Sequence, residues 1–220
     1  ADSKVIRHYS TMNEEDPYSV DECLTDILVS CLKVQYDDKI GSWKDLKEED
    51  RIYVILAVKE LTFPKGENRL SYSQRCQECD QPNEIEVRKN IFTRRDINEN
   101  MLKYYSEEER LFVVKTKNYG EIRITPPSVG VMKEITKYIR QKQIEKRKIS
   151  MDFINILPYM VTDWRGFNDK NIKNLEIEYM RWDEKQYSIM YKLVDWAKVS
   201  VSENITITCS KCGAEVIAPV

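Results

Sequence analysis

The sequence predicts an α+β fold in which two thiol-tipped β-hairpins meet and hold a large, mainly helical insertion between them. Three observations carry this. Four of the six cysteines form two Cys-x-x-Cys pairs, Cys76 with Cys79 and Cys209 with Cys212. Each pair interrupts a stretch of strand-like alternation, Arg69–Val87 and Glu203–Ile217. The 129 intervening residues, 80–208, carry mostly helical periodicity. Two cysteines three apart around a tight turn can aim both sulfurs at one ion, and a structural zinc takes four such ligands in a tetrahedron. The expected site is therefore a four-cysteine zinc ribbon built from Cys76, Cys79, Cys209 and Cys212. Gly213 supplies a permissive backbone after the second turn, and Asp80 holds the matching place after the first.

Other chemistries fit this spacing less well. A redox Cys-x-x-Cys of the thioredoxin kind opens a helix after a strand, and neither pair precedes a helical pattern. Two disulfides would need an oxidising compartment, and no signal peptide is visible at the start of the sequence. Iron suits four thiolates as zinc does and is the main metal competitor. Two half-sites completed by a partner chain are a further alternative. Cys23 and Cys31 lie in an apolar helical pattern and read as buried free thiols.

Along the chain, residues 1–16 are polar and aperiodic and read as a flexible N-terminal arm. It holds His8, the one histidine, to which no role is assigned. Pro17 and Ser19 open a helix, with Ser19-Val-Asp-Glu22 fitting a capping box. Cys23, Leu24, Ile27, Leu28, Cys31 and Leu32 form its apolar stripe. Asp37, Asp38 and Gly41 mark a turn. Trp43 and Leu46 are placed near the start of a helix over about 47–61, whose apolar face uses Ile52, Ile55 and Leu56 and extends to Leu61. Glu48, Glu49 and Asp50 read as first-turn decoration favoured by the helix dipole. Pro64 and Gly66 end the segment, and the first hairpin follows over about 68–89.

A charged joint runs from Arg88 to Asn100. Two strands, 110–116 and 121–125, flank an Asn118-Tyr-Gly120 turn, and Pro126-Pro127 stops the second. An amphipathic helix is expected over 128–147, with Val131, Met132, Ile135, Tyr138 and Ile139 on its apolar side. Its basic end, Arg140, Lys142, Lys146, Arg147 and Lys148, reads as a solvated terminus suited to the macrodipole. An anionic partner surface is the alternative. A short helix over 151–162 contains Pro158, which kinks or ends it. After a 163–169 loop, 169–197 reads as a helical region with Trp182, Tyr187, Tyr191 and Trp196 assigned to the core rather than to a partner surface. The expected organisation is thus an arm at 1–16, a helix–hairpin zinc-ribbon unit at 17–90 plus 200–220, and an insertion at 91–199.

Hydrophobic residues make up 41% and charged residues 33% of the chain, the formal net charge is −2, and the pI is near 5.7. The basic excess usual in nucleic-acid binders is missing overall, and no apolar run approaches the roughly 18 residues of a membrane span. No glycine-rich nucleotide loop occurs. With four cysteines on it, the zinc has no position left for a hydrolytic water, and no Ser/His/Asp or Cys/His arrangement can be built. The expected protein is a non-enzyme.

The run from Leu46 to Val87 joins Asp50-Arg51 and Ile55-Leu-Ala-Val-Lys-Glu-Leu61 to Cys76-Gln-Glu-Cys79 and Glu84-Ile-Glu-Val87. Ile122-Arg-Ile-Thr-Pro-Pro127 and Ile205-Thr-Ile-Thr-Cys209-Ser-Lys-Cys212-Gly213 complete the series. In this order of elements, over roughly residues 20–217, the chain resembles the baseplate hub and hub-assembly proteins of T-even-type tailed bacteriophages. The resemblance implies a non-enzymatic virion-assembly role through contacts with other hub or tail proteins, in the host cytoplasm or the virion tail baseplate. It also implies structural zinc ligands at the same four cysteines. The competing expectation is a zinc-ribbon nucleic-acid-binding regulator, for which Lys65, Arg69, Arg75, Arg88, Lys89, Arg94 and Arg95 around the first knuckle supply some positive charge.

Overall fold

A computed structural model describes residues 17–36, 39–62, 71–86, 94–201 and 204–219. The expected arm at 1–16 lies outside them. In chain order the elements are α1 (Pro17–Cys31), β1 (Val34–Tyr36), β2 (Lys39–Gly41), two 3-10 turns (Trp43–Asp45 and Glu48–Asp50), α2 (Arg51–Thr62), β3 (Ser71–Arg75), β4 (Pro82–Glu86) and β5 (Arg94–Arg95). Then come α3 (Glu99–Leu102), β6 (Tyr105–Ser106), β7 (Leu111–Thr116), β8 (Gly120–Ile124), α4 (Val129–Ile144), α5 (Met151–Met160), α6 (Asp169–Tyr179) and α7 (Glu184–Ala197). The chain finishes with β9 (Ser200–Val201), β10 (Asn204–Thr208) and β11 (Glu215–Pro219). The class is α+β, with small antiparallel sheets. Among the described residues no helix is long and apolar enough to cross a membrane.

Two compact units share the chain. One, the knuckle unit, draws on Ala1–Leu32, Ile52–Arg95 and Ser200–Val220; the other, the helical unit, on Lys33–Arg51 and Asp96–Val199. Residues 33–51, grouped with the hairpins in the sequence reading, therefore cluster with the helices. The reason is main-chain pairing. Lys47 bridges Ser128, the Glu48 N–H donates to Pro127 O at 3.0 Å, and the Val129 N–H donates to Leu46 O at 2.8 Å. The Lys47 ammonium seals the seam by donating to Thr125 Oγ1 at 2.9 Å and Pro126 O at 2.7 Å.

In the knuckle unit, β3 pairs with β4 and β10 with β11, each antiparallel over five residues. β5 pairs with β9. The period-2 alternation does its work here: Asn83 and Ile85 of β4, Ile205 of β10, and Val216 and Ala218 of β11 are buried, while Glu84, Thr206 and Ile217 face out. Ile85, Ile205 and Ala218 form one small apolar layer; Cys76, Cys209 and Val216 form the next. Cys23, Ile27 and Leu28 of α1 and Ile55 and Leu56 of α2 are buried as the stripes require, but Leu61 is 83% exposed. It sits one residue from the helix end, where the face has rotated outward. Ser19 falls inside α1 rather than at its cap, since the helix begins at Pro17; proline at a first helical position loses nothing there.

In the helical unit, β6, β7 and β8 form a meander. Gly120, at φ +69, closes the β7–β8 turn in a region that L side chains seldom adopt. Each helix starts on a side-chain cap: Ser128 accepts from the Val131 N–H, Ser150 from the Phe153 N–H, and Asn168 from the Lys170 and Asn171 N–H groups. The helical region 169–197 is made of two helices, α6 and α7. Asp183 stops the run by accepting from the Gln186 N–H at 2.7 Å, and it is held there by the Tyr119 hydroxyl at 2.9 Å. Pro158 lies in the last turns of α5, and the carbonyl of Tyr159 is taken by the Thr125 N–H at 3.0 Å.

Two clusters of described residues lie at the core of the helical unit. Met101, Phe112, Ile124, Ile156, Leu193 and Ala197 are the heart of one; Val131, Ile135, Tyr138, Phe153, Leu157 and Ile172 make the other. Trp182, Tyr187 and Trp196 pack against the first, as the core reading expects, whereas Tyr191 is 57% exposed. The basic end of α4 is partly absorbed into the fold. Lys142 lies 3.6 Å from Glu176, which also accepts from the Tyr138 hydroxyl at 2.7 Å.

Trp43 sits in its 3-10 turn with the Lys133 ammonium of α4 over its ring, rather than at the mouth of α2. Its neighbour Asp45 accepts from Trp164 Nε1 at 2.8 Å and from Arg165 at 2.8 Å. The Trp164 ring lies on Gly130, where an added Cβ would come within 2.7 Å of Trp164 Cγ. Gly130→Ala is expected to cost about 1–3 kcal/mol by overpacking, read as a lowered urea midpoint with unchanged m-value.

The acidic trio 48–50 forms the 3-10 turn that leads into α2, and all three residues are half-buried. Glu49 is half-buried and its Oε2 has no hydrogen-bond partner among the described residues; burial lifts its carboxyl from 4.5 to about 7. A carboxyl raised in the fold binds its proton more tightly folded than unfolded. Its contribution is whole below about 4.5 and is lost as pH rises to about 7. Glu49→Gln is expected to stabilise by on the order of 1–2 kcal/mol at pH 8 and to change little at pH 4, in paired thermal melts.

Candidate metal centre

The two Cys-x-x-Cys turns have the same backbone. The Cys76 N–H donates to Gln81 O at 2.9 Å and the Asp80 N–H to Cys76 O at 2.9 Å. Likewise the Cys209 N–H donates to Ala214 O at 2.8 Å and the Gly213 N–H to Cys209 O at 3.0 Å. The fourth residue after each first cysteine is left-handed, Asp80 at φ 57 and Gly213 at φ 75, the conformation that Asp tolerates and Gly adopts freely. Arg75 fastens the strained Asp80, donating to its carboxylate at 2.8 Å and to its carbonyl at 3.2 Å.

The tertiary fold brings all four sulfurs within 4.8 Å of one another. Two of the contacts cross between hairpins: Cys76 to Cys212 at 3.6 Å and Cys79 to Cys209 at 3.7 Å. A tetrahedral ion with metal–sulfur bonds of about 2.3 Å sets its ligands roughly 3.8 Å apart, so the cage has the size such an ion requires. None of the four is in a disulfide. Cys76 and Cys209 are buried, Cys79 is half-buried and Cys212 is exposed. The donor set is all sulfur, so a divalent, thiophilic ion fits; each residue offers one ligand atom.

The crowding separates the thiols electrostatically. The Cys209 thiol is held below its ordinary value by the backbone N–H groups of Cys212 and Lys211, with the Asn83 amide helping. Cys212 receives the Ala214 N–H, which lowers it, yet its contacts with Cys79, Cys209 and Cys76, together with the partial loss of solvent around its sulfur, win and push it up. One thiolate among four crowded sulfurs resists a second. A bound cation removes that conflict by favouring the deprotonated form at every sulfur.

Asn83 was not singled out by the sequence reading. Buried in β4, it donates to Gln81 O at 2.9 Å and to Cys209 Sγ at 3.7 Å, and accepts from the Ser210 N–H at 3.0 Å and hydroxyl at 3.2 Å. One amide thus ties the first hairpin to the second knuckle with its hydrogen-bonding capacity used. The available signal was an asparagine two positions before Ile85, on the inward register of an alternating strand. Asn83→Ala is expected to weaken metal affinity by about 10–100-fold, measured by competition with a chromophoric chelator.

Of the basic residues around the first knuckle, Lys65, Arg69, Arg88 and Lys89 lie outside the described residues, and Arg75 is committed to Asp80. Cys23 and Cys31 are on α1 and take no part in the cage. The chain matches no family model, no curated protein and no solved structure.

Proposed function

We propose that the chain is a zinc-stapled structural protein that works through protein–protein contacts, in the assembly of the central hub of a phage tail baseplate in the host cytoplasm. The observation that carries the staple is the four-sulfur cage itself, whose sulfurs belong to two hairpins 130 positions apart at Cys79 and Cys209. Four thiolates fill a tetrahedral zinc, so the ion stabilises the fold and has no position to activate water. Zinc is favoured over iron because it holds a tetrahedral thiolate cage with no redox liability. The two hairpins become a zinc ribbon once it is bound. The hub assignment rests on the resemblance of its order of elements, a helix, a cysteine-knuckle hairpin, a helical middle and a second knuckle, to the T-even hub and hub-assembly proteins.

Affinity purification of the full chain from infected cells is expected to recover hub proteins alongside it, with a single zinc per chain by elemental analysis. Recovery without any hub protein would reject the assembly role. Steeply salt-dependent binding to random-sequence DNA near micromolar strength would instead favour a nucleic-acid-binding regulator.

A further inference from the structure

We infer that the outer edge of β8 is a self-association surface, on which a second copy of this chain lays its own β8 antiparallel, with Glu121 of each copy opposite Arg123 of the other.

The alternation of backbone groups decides which amides are free. The Val113 N–H donates to Tyr104 O at 2.9 Å, on the β6 side of β7. The backbone groups of Phe112, Val114 and Thr116 therefore face β8, where their register partners are Ile124, Ile122 and Gly120. That directs the N–H and C=O of Glu121 and Arg123 away from the sheet. Thr125 is in the same phase and shows the same direction: its N–H donates to Tyr159 O, in the last turn of α5, at 3.0 Å. Among the described residues no backbone group meets Glu121 or Arg123 in this way, and both residues are exposed. β8 is the terminal strand of its sheet. Such an edge is a template for another strand.

Charge selects both the occupant and the register. Charged side chains on an edge ordinarily repel an added strand, but here the two signs match when the copy is inverted. Glu121 set on Glu121 of the second copy would oppose like charges. Arg123 set on Arg123 would do the same, and would also ask Thr125 for an N–H already given to Tyr159. Glu121 set on Arg123 satisfies backbone and charge together. The outward residues then form directly opposed pairs that exchange N–H···O bonds, and Ile122 meets its own copy on the two-fold axis, in a pair whose side chains approach closely. A contact of this kind is isologous. Lys115 lies opposite Glu121 in the β7–β8 ladder, so Lys115, Glu121 and Arg123 of the second copy make one row of alternating sign. Arg123 donates to Glu109 at 2.9 Å and lies 2.8 Å from Glu121 in its own chain. A guanidinium has five N–H donors, enough to keep Glu109 and take Glu121 of the second copy. The ladder is short, which makes the dimer weak and concentration-dependent rather than obligate.

The test is sedimentation velocity of the full chain as purified, in reductant, from low to high micromolar concentration. A monomer–dimer equilibrium that weakens with salt is expected. Glu121→Arg and Arg123→Glu should each weaken the dimer by about tenfold or more, since each sets like charges across the joint. Mixed one to one, the two variants should recover a dimer, because every pair across the joint again has opposite signs. Arg123→Pro removes an N–H that points off the sheet, which a single edge strand tolerates; this variant should keep the circular dichroism of the unaltered chain and stay monomeric. In hydrogen exchange on the unaltered chain, the Glu121 and Arg123 amides should gain protection as concentration rises, a readout that stands whether or not the variants fold. A chain monomeric at every concentration would overturn the proposal. So would a dimer equally tight in the three variants, a mixture no tighter than either charge variant alone, or protection gained elsewhere and not in β8.

Discussion

Chelation of an ion held by the four cysteines, or Cys209→Ser, is expected to unfold the knuckle unit. The cage joins β3–β4 to β10–β11 at one end, and the apolar layers behind it are thin: Ile85, Ile205 and Ala218, then Val216 with two of the cysteines themselves. Such a unit buries too little to hold its chain ends together without a cross-link. In small zinc-binding peptides the ion contributes on the order of 10 kcal/mol to folding at neutral pH. Part of that loss here is offset by the two hydrogen-bonded hairpins. A fall in Tm of more than about 10 °C is expected, with loss of amide protection in β3, β4, β10 and β11. Cys23→Ser, on α1 and outside the cage, should leave metal content unchanged. Equal melting with and without chelator would remove the staple from the account. Acid should act as chelator does, because protonation of the thiolates competes with the ion.

Phe153→Ala is expected to be the most damaging single substitution in the helical unit. Its side chain is fully buried among Val131, Ile135, Tyr138, Leu157 and Ile172, and its ring centroid lies 5.3 Å from that of Tyr179. It therefore joins α4, α5 and α6 at once. Truncation removes the transfer free energy and leaves a cavity that three helices cannot close, a loss of about 3–5 kcal/mol. That corresponds to a Tm lower by on the order of 10 °C. Met151→Ala, two residues earlier on the same helix but 66% exposed, should change stability by less than about 0.5 kcal/mol. Comparable losses for both variants would mean that α5 is not packed as described.

The parts legible in the sequence are those whose signal is local. The β7–β8 hairpin could be read because Asn118-Tyr-Gly120 offers a left-handed glycine between two alternating runs. The start of α4 followed Pro126-Pro127 and Ser128 for the same reason. The break at Asp183 was missed although Asp183 and Gln186 have the spacing of a helix start. The surrounding apolar residues kept helical periodicity straight through it, and periodicity alone cannot register a change of axis. The burial of Glu49 and the diversion of Lys47 to Thr125 and Pro126 were out of reach. Charged residues in series read as solvated unless something distant covers them.

The four cysteines of the cage were legible in the sequence because cysteine spacing encodes a turn, and the turn encodes where two sulfurs point. That both turns share one backbone, with Asp80 standing where Gly213 stands, was likewise written locally. Only the tertiary structure decided that the two pairs meet, that sulfurs of different hairpins come within 3.7 Å of each other, and that Asn83 reaches across to Cys209 and Ser210. The physical reason is range. Backbone sterics and hydrogen bonds act over a few residues and leave their mark in adjacent letters. Juxtaposition across 130 positions depends on how apolar faces such as those of Ile85, Ile205 and Ala218 are buried together, and many sequences satisfy that condition without announcing it.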